Sequence, residues 1–285
     1  MLVSLQNVLA IAEEKQIAVG AFNTPSLESL CAVIEAAEEL QLPVIVQMAQ
    51  CHEPLIQLSV IGPIMVMQAR KASVPVCVHL DHGETIDYLE QALDMGFTSI
   101  MFDGSELPYE ENIVATKKAV ELAEQFGAVV EAELGCMGQR EFGSGVSQGD
   151  ASKIYTDPMQ AKDFIERTGT YALACSFGTT HGIYLTEPKL DFDIVRQVRE
   201  KTGNVPVVMH GGSGVSAKDF RTAILAGVRK INYFTDMDKA GGVACEEYLS
   251  KLSENEPRFY SSVRLEAARA MKENAAEAMK VFARL

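Results

Sequence analysis

The chain has 285 residues, 47% of them hydrophobic and 22% charged, and its 25 Lys and Arg against 39 Asp and Glu give a net charge of -14. A chain of this length buries a large core without disulfides or a structural metal. An acidic chain with no Lys/Arg-rich run also lacks the basic face that nucleic acid requires, so no nucleic-acid partner is expected. Met1–Asn7 carry no basic leader and the chain meets Glu13 and Glu14 before any long apolar run, so no secretory signal is expected. Nor does any stretch approach the roughly 20 apolar residues of a membrane-spanning helix. Cys31, Cys51, Cys77, Cys136, Cys175 and Cys245 never form a C-x-x-C pair. They read as reduced thiols of a cytoplasmic protein, serving as small core residues.

In chain order, β-rich runs stand at Ala18–Asn23, Pro43–Ala49, Pro75–Asp81, Ser99–Asp103, Val129–Gly135, Ala172–Gly178, Pro206–His210 and Lys230–Thr235. Amphipathic segments alternate with them, at Leu30–Leu40, Thr85–Met95, Asn112–Phe126, Asp157–Thr168, Phe192–Lys201 and Ala217–Leu225. Gly96, Gly127, Gly169, Gly203 and Gly227 follow five of these helices as C-terminal caps. Strands alternating with helices imply parallel βαβ units. Eight in series predict an α/β fold, a (β/α)₈ TIM barrel, although periodicity alone leaves an open doubly wound sheet in play. Ala268, Met271, Ala275, Ala278, Met279 and Phe282 repeat at helical spacing after the last strand, with Pro257 dividing that helix from an earlier one. One domain is expected, with 246–285 as C-terminal helices.

Barrels of this class do chemistry at the C-terminal ends of their strands. The residues there are Asn23, Asp81-His82, Asp103, Glu131 with Glu133, Gly178–Gly182, His210–Gly214 and Asn232 with Thr235. Three of five histidines, His82, His181 and His210, fall at these ends. Taken singly, His52 and His79 read as hydrogen-bonded structural residues, with His79 facing inward below the site on the parity of Asp81. Three imidazoles converging on one mouth instead suit a catalytic zinc site with an open fourth position.

Asp103 and Glu133 read either as polar plugs, as holders of a second divalent ion, or as groups that orient the imidazoles. Asp81, beside a candidate ligand, is a candidate for proton transfer. Gly211–Gly214 offers free backbone N–H groups and a hydroxyl, suited to a phosphate or simply to a tight turn. Gly138–Gly149 reads as a loop whose carboxylate, Glu141, either faces solvent or is delivered to substrate as a base.

Together, Ala21-Phe22-Asn23, His79-Leu80-Asp81-His82, Glu131-Ala132-Glu133-Leu134-Gly135, Gly178-Thr179-Thr180-His181-Gly182, His210-Gly211-Gly212-Ser213-Gly214 and Lys230-Ile231-Asn232 resemble the class II, metal-dependent ketose-phosphate aldolases. That group contains the fructose- and tagatose-bisphosphate aldolases. The resemblance implies that His82, His181 and His210 bind zinc, that Asp81 shuttles the proton of the substrate's C4 hydroxyl, and that Glu141 serves the carbon beside the ketone. It implies a second metal position at Asp103 and Glu133. It also implies a dihydroxyacetone phosphate pocket at Gly182, Gly211, Ser213, Asn232 and Thr235, with Asn232 also in the catalytic set. A monovalent cation (Na+ or K+), a small phosphorylated ketose as substrate and a homodimer or homotetramer are implied as well.

The chemistry agrees with these residues. Breaking a C–C bond beside a carbonyl leaves an enediolate that a Lewis acid stabilises. A Schiff-base aldolase needs a lysine inside the barrel, whereas Lys230 is expected to start its strand, at the end away from the site. The sequence departs from the family at Leu185, Tyr233, Phe234, Ala49 and Glu106 and lacks a glycine-rich tail. Leu185, Tyr233 and Phe234 are expected to make the phosphate side bulkier and more apolar, and only Arg258 and Arg264 offer themselves for a second phosphate. The substrate is therefore either a ketose 1,6-bisphosphate or another phosphorylated ketose, such as one derived from a sugar acid. Two alternatives remain: a non-catalytic subunit stabilising another aldolase, and a metal-dependent barrel hydrolase. An H-x-H pair on the first strand would mark such a hydrolase, but Ala21-Phe22-Asn23 stand there.

Overall fold

The computed structural model describes residues 1–135, 155–179 and 189–285. Its eight strands are β1 (Val19–Asn23), β2 (Val44–Ala49), β3 (Val76–Gly83), β4 (Ser99–Phe102), β5 (Val129–Leu134), β6 (Ala172–Cys175), β7 (Val207–Met209) and β8 (Val228–Tyr233). Every neighbouring pair is parallel, and β8 pairs with β1, so the sheet closes as a barrel. The helices are α1 (Leu5–Lys15), α2 (Leu27–Leu40), α3 (Leu58–Lys71), α4 (Ile86–Asp94), α5 (Tyr109–Gln125), α6 (Pro158–Thr168), α7 (Phe192–Lys201), α8 (Ala217–Ala226), α9 (Thr235–Lys251) and α10 (Tyr260–Phe282). No helix among the described residues is long and apolar enough to cross a membrane.

Strand alternation divides the apolar residues into two cores. One face of each strand packs outward against the helices, as Phe22, Val46, Val78, Ile100, Ala132, Leu173 and Ile231 do. The other face fills the lower barrel with Val19, Ala21, Ile45, Cys77, Ala172, Ala174 and Val208, and α1 closes that end with Leu5, Val8, Leu9 and Ala12. A Ser4–Asn7 capping box starts α1. With the bottom sealed by apolar packing, the inward polar residues are confined to the upper barrel.

The closing helix is also held by charge. Glu13 of α1 accepts from Arg229 Nε at 2.6 Å and from Arg199 Nη2 at 2.7 Å, and the two arginine side chains are 4% and 9% exposed. Burial works against the ionised Glu13, but the two guanidiniums outweigh it and lower its pKa from 4.5. A lowered carboxyl pKa adds stability above the unfolded value, and that stability is lost as pH falls through the folded value. Glu13→Gln is therefore expected to destabilise by about 1–2 kcal/mol at neutral pH, since Glu13 itself is half-exposed. The deficit should shrink as pH falls below 4.5 and on through the lowered folded value, as the native Glu13 protonates too. Thermal melts of both proteins at pH 7 and pH 3.5 check this, and an equal deficit at both values would contradict it.

Several expectations need correction. The eighth strand begins at Val228 rather than Lys230, because Gly227 at φ 125 turns the chain directly out of α8. Lys230 therefore sits inside the barrel, not at the strand's start. Thr235 opens α9 instead of ending β8, so the C-terminal helices begin before residue 246. The Tyr233 ring points outward, 5.7 Å from Phe22 and 5.9 Å from Phe282, so its bulk packs toward the helices although the residue still borders the cleft. Cys77 and Cys175 are core residues, but Cys31 and Cys51 are exposed.

Candidate active site

Asp81 is the hub of the upper barrel. It is 3% exposed, its Oδ2 accepts from Asn23 Nδ2 at 3.0 Å, and its Oδ1 accepts from Asn232 Nδ2 at 3.0 Å. Both amides are braced from behind. Gln47 Nε2 donates to Asn23 Oδ1 at 2.8 Å, and Lys230 Nζ donates to Asn232 Oδ1 at 2.8 Å. Parallel register puts Gln47 beside Asn23, and strand parity puts Lys230 on the same face as Asn232, two residues on. Burial opposes the ionised Asp81, but His82, Lys230 and His210 outweigh it and hold the carboxyl well below the usual range.

The next residue leaves the regular strand. The β3–β4 register shifts between Leu80 and Gly83, and His82 sits at φ 46. That left-handed conformation costs a residue with a Cβ about 1–2 kcal/mol. It turns the imidazole to the barrel mouth, where Nδ1 donates to Asp103 Oδ2 at 2.7 Å and Nε2 lies 4.0 Å from Asp81 Oδ1. Burial alone would lower the pKa of His82, but Asp81 and Asp103 reverse this and push it up to about 10.

Facing it, the His210 ring follows β7, with its centroid 4.7 Å from that of His82. His210 Nε2 donates to Glu131 Oε1 at 2.9 Å, while Nδ1 lies 3.4 Å from Glu133 Oε2. Burial keeps His210 below its ordinary pKa. Glu133 goes the other way: burial and the nearby Asp103 raise its pKa well above 4.5.

Two sets of side chains bring ligand atoms within 4.8 Å of one another: Asp81, His82 and His210, and His82, Asp103 and Glu133. The donor chemistry suits a divalent ion of the zinc class. His181, Gly182, Glu141 and Leu185 lie outside the described residues. Beside the first set opens a cleft of about 330 Å³ lined by Asn23, Gly211, Ser213, Asn232, Phe234 and Thr235, among others. Gly211 is at φ 65, and a Cβ on Gly212 would stand 2.7 Å from the Asn232 carbonyl oxygen. Glycine is therefore required for this turn to lie against β8. Ser213 Oγ accepts from the Asp236 amide at 3.3 Å at the start of α9, where the N-cap residue Phe234 makes no side-chain bond of its own, and Asp236 Oδ2 accepts from the Gly214 amide at 2.8 Å.

Beneath lies a layer in which the sequence had suggested no role for Glu131 and no inward place for Lys230. Glu131 and Lys230, both fully buried, are paired at 2.8 Å, and His79 Nδ1 meets Ser99 Oγ at 2.7 Å. Burial, reinforced by Lys230, lowers the pKa of His79 to about 3 and keeps it neutral. The inward placement of His79 agrees with the strand-parity expectation. The same parity could have found the others: Glu131 is two residues from Glu133, and Lys230 two from Asn232, so each pair shares a face.

Comparison with known proteins adds independent findings. The family model described as fructose-bisphosphate aldolase class-II matches residues 3–284. The Escherichia coli protein YdjI is 39% identical over 271 residues, covering 95% of this chain and 94% of that one. A Bacillus subtilis protein named a probable fructose-bisphosphate aldolase is 38% identical over 285 residues, covering 99% and 97%. The crystal structure of the YdjI aldolase superposes with a TM-score of 0.86 at 37% identity, covering 99% of this chain and 97% of that one.

Proposed function

Because this chain belongs to the class II fructose-bisphosphate aldolase family, whose members are metal-dependent carbon–carbon lyases, we propose that it cleaves a phosphorylated ketose reversibly to dihydroxyacetone phosphate and an aldehyde. The observation that carries this reading is the convergence of Asp81, His82 and His210 beside the glycine turn. The imidazoles of His82 and His210, with His181 assigned by resemblance alone, would hold one zinc ion. Glu131 engages His210 Nε2, which orients the ring as carboxylates do behind metal-binding histidines. The bound ion supplies a Lewis acid that polarises the ketone and stabilises the charge left when the bond breaks.

The chain's own residues do the rest. Asp81 takes the proton of the C4 hydroxyl as the C3–C4 bond breaks, and the bond's electron pair stays with the ketone fragment. Ionised and held by two amides, Asp81 needs no reorganisation to act. The proton for C3 is assigned to Glu141 by resemblance. Gly211, Ser213, Thr235 and the first turn of α9 supply amides and hydroxyls for the phosphate. Asp103 and Glu133 remain the candidates for a second divalent ion, alongside a monovalent cation.

A coupled assay for dihydroxyacetone phosphate release tests the reading across a panel of phosphorylated ketoses, with zinc-loaded and EDTA-stripped protein. Release from at least one ketose with zinc, abolished by EDTA, is expected. Equal release after complete stripping would overturn the metal-dependent reading. No release from any ketose by protein holding one zinc per chain would overturn the substrate class.

A further inference from the structure

Lys230 is the buried charge for which the cleavage reaction has no direct use. It reaches neither the cleft nor the cation sets, yet it is fully buried in the barrel. We propose that Lys230 is a positioning residue that fixes the side-chain amide of Asn232, and through it the donor that Asp81 faces. The inference rests on the aldolase reading of Asp81 and adds a residue to it.

An ammonium only donates, and an asparagine amide carries an acceptor at one end of a rigid plane and a donor at the other. Lys230 Nζ stands 2.8 Å from Asn232 Oδ1, so the oxygen must face the lysine and Nδ2 must face Asp81, 3.0 Å away. In the resting site Asp81 imposes the same orientation, since an ionised carboxylate only accepts. The two constraints separate during turnover. Once the proton of the substrate hydroxyl has moved to Asp81, with one O–H bond broken and another formed, that carboxyl can donate as well as accept. From its side either end of the amide is then tolerated. Lys230 is the group that still forbids the flip, so Nδ2 remains in place when the proton must return in the synthesis direction.

Its own place is secured from below. Nζ lies 2.8 Å from Glu131 Oε2 and 3.1 Å from Oε1. An ammonium paired with a carboxylate on one side and an amide oxygen on the other has no lone pair to present to a substrate carbonyl. Ion pairing, rather than position in the strand, thus sets Lys230 apart from a Schiff-base lysine.

Lys230→Met keeps the length of the side chain and removes the donor. With zinc content unchanged, kcat is expected to fall about 100-fold, at the low end of what misplacing an acid–base group costs, while KM stays within about threefold. Removing one partner of a buried pair can also unfold the barrel, so the double variant Glu131→Gln/Lys230→Met is made in parallel. It carries no unpaired charge and keeps an acceptor for His210. If Lys230 only neutralised Glu131, adding Lys230→Met to Glu131→Gln would cost nothing further, and equal kcat for Glu131→Gln and the double variant would overturn the proposal; a further fall at equal thermal stability and zinc content supports it.

A second readout does not depend on turnover. Asp81→Asn imitates the protonated carboxyl, and the side-chain amide of Asn232 is followed by ¹⁵N–¹H correlation, assigned by its loss in Asn232→Ala. One sharp pair of resonances is expected in Asp81→Asn, and broadening or doubling in Asp81→Asn/Lys230→Met. An unchanged sharp pair in the latter would sink the proposal. A wild-type protein inactive on every ketose but giving these spectra would refute the aldolase reading while leaving the role of Lys230 standing.

Discussion

Asp81→Ala is expected to bind zinc within a few-fold of the native protein and to lose cleavage by a factor of about 10² to 10⁴, the contribution of a well-placed proton-transfer group. The structure makes this a sharp test, because Asp81 belongs to a cluster that could hold a cation. Its two oxygens, however, are already occupied by the amides of Asn23 and Asn232 at 3.0 Å each. Those amides are in turn held by Gln47 and Lys230, so turning the carboxylate toward an ion would break bonds on both sides. A proton-transfer role needs no such rearrangement. Metal content by elemental analysis and turnover on the same preparation decide between them. Loss of zinc from Asp81→Ala would make Asp81 a ligand and remove it as the proton carrier.

Zinc affinity of the metal-free protein should rise about tenfold per pH unit between pH 7 and 9. Protons and zinc compete for the same nitrogens, so affinity falls with pH wherever a ligand is protonated. Within the set Asp81, His82 and His210, only His82 carries a proton in this range. Its pKa is pushed up to about 10, whereas burial lowers that of His210 and the carboxyl of Asp81 is already ionised. One proton released per ion gives the tenfold slope. Binding at His82, Asp103 and Glu133 would instead release two protons wherever Glu133, its pKa raised by burial and Asp103, is also protonated. The slope there would approach a hundredfold per unit. Competition against a zinc chelator of known pH dependence measures it, and a flat profile would mean that no ligand of the set gives up a proton to zinc in this range.

The chemistry that was legible in the sequence is the chemistry that strand parity and strand ends encode. Asp81-His82, His210 and Asn232 stand where alternating strands run out, and the barrel brings them together. What stayed hidden lies one layer lower or one residue off pattern. The run Val228–Tyr233 contains Arg229 and Lys230, and two adjacent charges read as a strand's edge when burial is unknown. Helix α3 passed unmarked because Gly62 and Pro63 lie within it. The ring of Tyr233 packs toward the helices because a strand sends neighbouring side chains to opposite faces, and Tyr233 follows the outward parity of Ile231.

By itself the sequence determined the alternation of strands and helices, the polar residues at the strand ends and the family. These are local properties, set by periods of 2 and 3.6 residues and by residue types. Closure of the sheet decided the rest. Glu131 and Lys230 are 99 positions apart, and a buried carboxylate and a buried ammonium are each prohibitive alone in a low-dielectric interior. Only when β8 pairs with both β7 and β1 does each charge acquire its partner. The amides that hold Asp81 are then braced from both sides of the barrel.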